Sequence, residues 1–203
     1  MREQKQEFDV KDVVLTFDDG EYNIFEYAYP ILKEFGLRAY FFVTAKNVGK
    51  EGYMGFEHLK KMIAGGMIIG SHGLSHEIMT NLLDTQIEEE LRASKKFLEL
   101  NLGTAIEDFS VPRGFSSDKI IRTAYDHGYK NVFISQRSRR INEDCLSRIG
   151  VRQHWTMKRF EQGLSGHVPL MERAVDKCKS GAKFLLREGG YNWVRNTIIK
   201  IVK

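Results

Sequence analysis

Short apolar runs rich in β-formers alternate along this chain with stretches whose apolar residues recur every three to four positions. Residues 13–17, 38–44, 67–70, 109–111 and 131–135 are short and mostly apolar, with polar residues at their ends, which predicts buried strands. Residues 146–151 predict a sixth, short one. Between them, residues 24–35, 56–64, 84–100 and 118–127 carry helical spacing. Gly36, the Gly65-Gly66 pair and Gly128 stand where helices stop, Pro112 breaks the strand at 109–111, and Ser117 is placed as an N-cap. On the solvent side of 84–100, Glu88, Glu89 and Glu90 precede Arg92, Lys95 and Lys96 at pairing distance.

Strands alternating with helices predict parallel βαβ units with right-handed crossovers, an α/β fold. In such folds the loops after the strand C-terminal ends build the site. Two strands end in chemistry. The first runs into Asp18-Asp19-Gly20, and the third into Ser71-His72-Gly73-Leu74-Ser75-His76. Two imidazoles and a carboxylate, Asp19, suit a divalent cation with open positions, and four residues would place both rings on one side of a helical turn. Side chains adjacent at a strand end can diverge, which leaves Asp18 free as a general base beside that cation. Each motif alone is common, Asp-Asp-Gly as a turn and paired histidines by chance. Their meeting at the ends of parallel strands gives them weight.

Composition narrows the classes. The 203 residues are 42% hydrophobic and 29% charged, enough for a buried core. A formal net charge of +4, without a basic stripe interleaved with aromatics, argues against a nucleic-acid partner. Cys145 and Cys178 are isolated, which fits a reducing compartment. With a polar start and no long apolar run, the expectation is a cytoplasmic chain, free or working at the inner membrane face. Residues 1–170 are expected to form the catalytic domain. Residues 171–203 differ: Lys177, Lys179, Lys183, Arg187, Arg195 and Lys200 are interleaved with Phe184, Trp193, Ile198 and Ile201. That tail reads either as helices packed on the barrel with a solvated basic face, or as a basic amphipathic segment making peripheral membrane contact.

Thr16-Phe17-Asp18-Asp19-Gly20 and Ser71-His72-Gly73-Leu74-Ser75-His76 resemble the first two motifs of the polysaccharide deacetylase family, of the NodB-homology or carbohydrate esterase 4 type. Phe41-Phe42-Val43 is similar to that family's second strand. The resemblance implies an irregular, incomplete (β/α) barrel and metal-dependent removal of an N-acetyl, sometimes O-acetyl, group from a sugar in envelope or exopolysaccharide metabolism. It makes Asp19, His72 and His76 the ligands of a divalent metal, usually zinc, with Co2+, Ni2+ or Fe2+ also suited to the set. It makes Asp18 the base. Phe109-Ser110-Val111-Pro112-Arg113-Gly114 matches the third motif, with Ser110 where the family has the arginine that holds the base. Arg113 falls where a backbone N–H stabilises the oxyanion, and its side chain is a candidate replacement for that arginine. Two later motifs, including the histidine that acts as general acid, have no counterpart; His154 and His167 are the nearest candidates. Two other classes stay open: a metal- or glycan-binding module without turnover, and a non-haem iron oxygenase.

Overall fold

A computed structural model describes residues 13–135, 145–153 and 155–165. Its compact units are Met1–Arg148 and Ile149–Lys203. Within the second, α5 (Met157–Leu164) is capped by Thr156, whose hydroxyl accepts the Arg159 N–H. The expected boundary at 170, the tail 171–203, His154 and His167 lie outside the described residues. No helix among the described residues is long and apolar enough to cross a membrane.

The first unit is the alternating structure expected. Strands β1 (Leu15–Phe17), β2 (Ala39–Val43), β3 (Ile68–Ser71), β4 (Asp108–Ser110), β5 (Asn131–Ile134) and β6 (Leu146–Ser147) pair in sequence order, all parallel. Helices α1 (Tyr29–Glu34), α2 (Phe56–Ala64), α3 (Asp84–Leu102) and α4 (Asp118–Asp126) fill the connections. Ser117 caps α4 by accepting the Ile120 N–H. Gly103, in the left-handed conformation, ends α3. One element departs from expectation: the run over 24–35 is not a single α-helix. Ile24–Ala28 is π-helical and α1 begins only at Tyr29, followed by Pro30, whose ring has no N–H to donate into the preceding turn.

Both faces of the sheet are apolar because both are covered. In β2, Ala39, Phe41 and Val43 point to the helices and join the main core, while Tyr40 and Phe42 point the other way. In β5, Val132 and Ile134 join the first set and Phe133 the second. The rings of Tyr40 and Phe133 lie 5.2 Å apart, and those of Phe42 and Phe133 4.9 Å. Since β2 and β5 are separated by two strands, they would stand about 14 Å apart in a flat sheet. The sheet is therefore curled into a half-barrel, its concave side filled by these rings.

Gly70 permits the curl. It faces inward opposite Phe42 in the β2–β3 register, and a methyl group there would lie 2.6 Å from the Phe42 ring and 2.8 Å from the Asp108 carbonyl. Gly70→Ala is expected to destabilise the fold by roughly 1–3 kcal/mol through overpacking, read as a lower midpoint in urea denaturation at unchanged slope.

Candidate metal centre

The inward-facing parity continues past the strand ends and sets the site. On β1 it passes through Thr16 to Asp18; on β4 it reaches Ser110; beyond β5 it reaches Ser135; beyond β6 it reaches Arg148. Asp19 departs from strand geometry with φ 72°, and its main chain turns into Gly20. This turn separates the two carboxylates. Asp18 stays on the inward side, and Asp19 swings toward the histidines.

The histidine pair is not on a helical turn. His72 follows β3 directly, and the chain to His76 is an irregular loop with Gly73 at φ 79° and His76 at φ 66°. Four-residue spacing works here because those two left-handed residues reverse the loop, leaving the rings 5.0 Å apart. The loop is anchored from behind by α3. The Glu90 carboxylate accepts the N–H of Leu74 (2.8 Å), the N–H of Ser75 (3.0 Å) and the Ser75 hydroxyl. Ser71 donates to Ser94 Oγ at 2.9 Å and accepts the Gly73 N–H at 3.2 Å. Glu90, expected on the solvent side with Glu88 and Glu89, is instead buried: it and Ser94 lie on the same stripe of α3 as Ile87, Leu91 and Leu98, polar side chains in a core face that anchor this loop.

His76 Nε2 lies 3.0 Å from Asp19 Oδ1. His72 Nε2 lies 3.6 Å from the same oxygen and 4.0 Å from Asp18 Oδ2. One ligand atom from each of Asp19, His72 and His76 falls within 4.8 Å of the others. The donor chemistry fits a cation. His72 Nδ1 lies 2.8 Å from the Ser110 carbonyl oxygen, which can only accept, so Nδ1 carries the proton and Nε2 presents its lone pair toward two carboxylates. Burial lowers the His72 pKa and favours the neutral ring. A lone pair facing carboxylates is relieved by a divalent ion. The hydrogen bond with His76 holds Asp19 below the usual carboxylate range against its burial, and the positive charge of Arg113 adds to the effect.

Arg113 sits in the Pro112–Gly114 turn after β4, at φ 55°. Asp19, His76 and Arg113 are the non-glycine residues with positive φ among those described, and all three belong to this site. Strained backbone of this kind concentrates where a structure must aim side chains. The guanidinium on Asp18, however, belongs to Arg148. Its Nη1 donates to Asp18 Oδ1 at 2.7 Å and its Nη2 to Oδ2 at 2.8 Å. Sequence reasoning passed over Arg148. The available signal was parity: Leu146 is apolar and inward, so two residues on Arg148 must face the same way.

A family model described as polysaccharide deacetylase matches residues 5–132. The Bacillus subtilis (strain 168) protein YxkH is 31% identical over 120 residues, 59% of this chain and 43% of its own. The peptidoglycan-N-acetylglucosamine deacetylase of Bacillus cereus is 25% identical over 181 residues, covering 89% of this chain and 74% of that one. The structure of the Streptococcus pyogenes deacetylase PplD in complex with acetate superposes with TM-score 0.70 at 23% identity, over 74% of this chain and 69% of that one. The chain spans about half the length of several curated relatives it matches.

The Glu90 anchor gives a direct test of how the histidine loop is held. Glu90→Ala strands two N–H groups and should lower affinity for added Zn2+ or Co2+ roughly ten- to a hundredfold in titration calorimetry. Glu90→Gln keeps an acceptor for both N–H groups and should retain most of that affinity.

Proposed function

The chain belongs to the polysaccharide deacetylase family, and from that membership and the arrangement of Asp18, Asp19, His72 and His76 we propose a metal-dependent hydrolase that removes acetyl groups from N-acetylated sugars. The observation that carries this reading is the separation of two adjacent carboxylates into two environments, Asp19 against the histidines and Asp18 against a guanidinium. Hydrolysis needs that division of labour, one group to hold a cation and one to move a proton. The second carboxylate, Asp18, argues for hydrolysis over an oxygenase site.

Asp19, His72 and His76 would hold the ion, which when bound polarises the acetyl carbonyl and acidifies water beside it. Asp18, with Oδ2 4.0 Å from His72 Nε2, borders that position and takes the proton of the attacking water. The turn at Arg113 brings positive charge to the same edge, where negative charge develops on the acetyl oxygen, and its N–H is the proposed donor to that oxygen. The tetrahedral species then collapses with C–N cleavage, giving acetate and a free amine that takes up a proton. The N-acetylglucosamine named for the Bacillus cereus relative makes N-acetylglucosamine oligomers and peptidoglycan fragments the first substrates to try.

Metal-loaded protein is expected to release acetate from such oligomers, and prior chelation should abolish the release. Asp18→Asn should lower kcat by about 10²–10⁴-fold while leaving Zn2+ affinity nearly unchanged. Retained metal binding with no acetate from any N-acetylated glycan would instead favour a binding module.

A further inference from the structure

The contacts of Arg148 exceed what an ion pair requires. Besides Asp18, Nη1 donates to Thr16 Oγ1 at 3.1 Å, and Nη2 to Ser110 Oγ at 2.7 Å and to Ser135 Oγ at 3.4 Å. Its Cζ stands 5.6 Å from the centroid of the Phe42 ring. The acceptors come from β1, β4 and the end of β5, and the ring from β2. Arg148 itself follows β6, where its N–H donates to the Ile134 carbonyl. The side chain is 13% exposed and that of Asp18 31%. The guanidinium thus lies on the concave floor of the half-barrel, beneath the carboxylate and out of a substrate's path.

We propose that Arg148 is the positioning residue for Asp18, reaching the base from β6, and that Ser110 is small so that it can. Resting on the deacetylase reading above, this assigns a defined task to the two-residue strand β6. By engaging both Asp18 oxygens from below, Arg148 keeps that carboxylate from collapsing onto the cation alongside Asp19. Asp18 remains a base and does not become a fourth ligand. Ser110 contributes on two sides: its hydroxyl accepts from Arg148 Nη2, and its carbonyl accepts the hydrogen bond donated by His72 Nδ1–H. A long side chain at 110 would enter the volume that the guanidinium occupies. Ser110 and Arg148 are therefore two halves of one solution.

The experiment moves the guanidinium. In the full chain, Arg148→Ala should lower kcat for acetate release by about a hundredfold or more, with KM changed less than about threefold. Zn2+ affinity, measured calorimetrically, should not fall, because no ligand is removed. Adding Ser110→Arg to Arg148→Ala supplies a guanidinium from β4 and should recover about tenfold or more of the lost kcat, whereas Ser110→Arg alone, with two guanidinium groups competing for one space, should be impaired. Arg148→Lys keeps the charge without the two-pronged grip and should lose about tenfold in kcat; it decides the matter if thermal melting shows the alanine variant unfolded. Wild-type kcat in the lysine variant, or in a folded alanine variant, overturns the proposal while leaving the deacetylase reading intact. A wild-type protein that binds Zn2+ and releases no acetate overturns both.

Discussion

The ion pair between Asp18 and Arg148 joins the two open edges of the sheet. β1 and β6 are at opposite ends of the strand order, and in a flat sheet five strand spacings would separate them by about 24 Å. Curling brings them close enough for one long side chain to cross the gap. A closed barrel would make that link with backbone hydrogen bonds. Here it is made by a guanidinium whose acceptors belong to Thr16, Asp18, Ser110 and Ser135. The same contact thus fixes the curvature at the top of the sheet and the orientation of the proposed base.

Polar groups on a concave apolar floor are costly unless every one is answered. The floor answers most of them. Tyr40, Phe42 and Phe133 fill the lower part, and Gly70 lets the Phe42 ring press against β3. Above the rings, Thr16, Ser110 and Ser135 supply hydroxyls that accept from the two terminal nitrogens of the guanidinium without adding charge, while its buried Nε has no hydrogen-bond partner. The histidine side is built the same way, from Glu90 and Ser94 on α3. Two buried polar supports, one under the proposed base and one behind the proposed ligands, converge on a site where Asp19, His76 and Arg113 hold left-handed backbone. The hydrogen bonds of these supports and the core beneath them hold that strained backbone in place.

Much of this was legible from period and punctuation. Strand parity, helix spacing, the Ser117 cap and the strand-end placement of Asp18, Asp19, His72 and His76 are local properties, and local chemistry writes them into the chain. The curl was legible only through resemblance, because it depends on Tyr40 meeting Phe133 across two intervening strands. The histidine pair was placed by spacing for a reason the structure replaces: a loop with two left-handed residues, where a helical turn was expected. That difference is invisible in sequence because His76 shows no glycine-like signal at φ 66°. Arg148 was missed because it follows a stretch of charged residues in which no single arginine stands out, and because its partner lies 130 positions away.

Ser110 shows what a departure from a family pattern means physically. Read alone, a serine in the place of a base-holding arginine suggests a damaged site. Placed in the fold, it is a hydroxyl that accepts from an arginine arriving from another strand, with its carbonyl still setting the tautomer of His72. On the proposal for Arg148, the requirement is not for arginine at one position on β4 but for two parallel N–H donors at the Asp18 carboxylate, as Nη1 and Nη2 provide here. A long inward-facing side chain at another strand end can supply that, as Arg148 does from β6. Loss of a family residue therefore argues against activity only after the concave face has been searched for the group that replaced it.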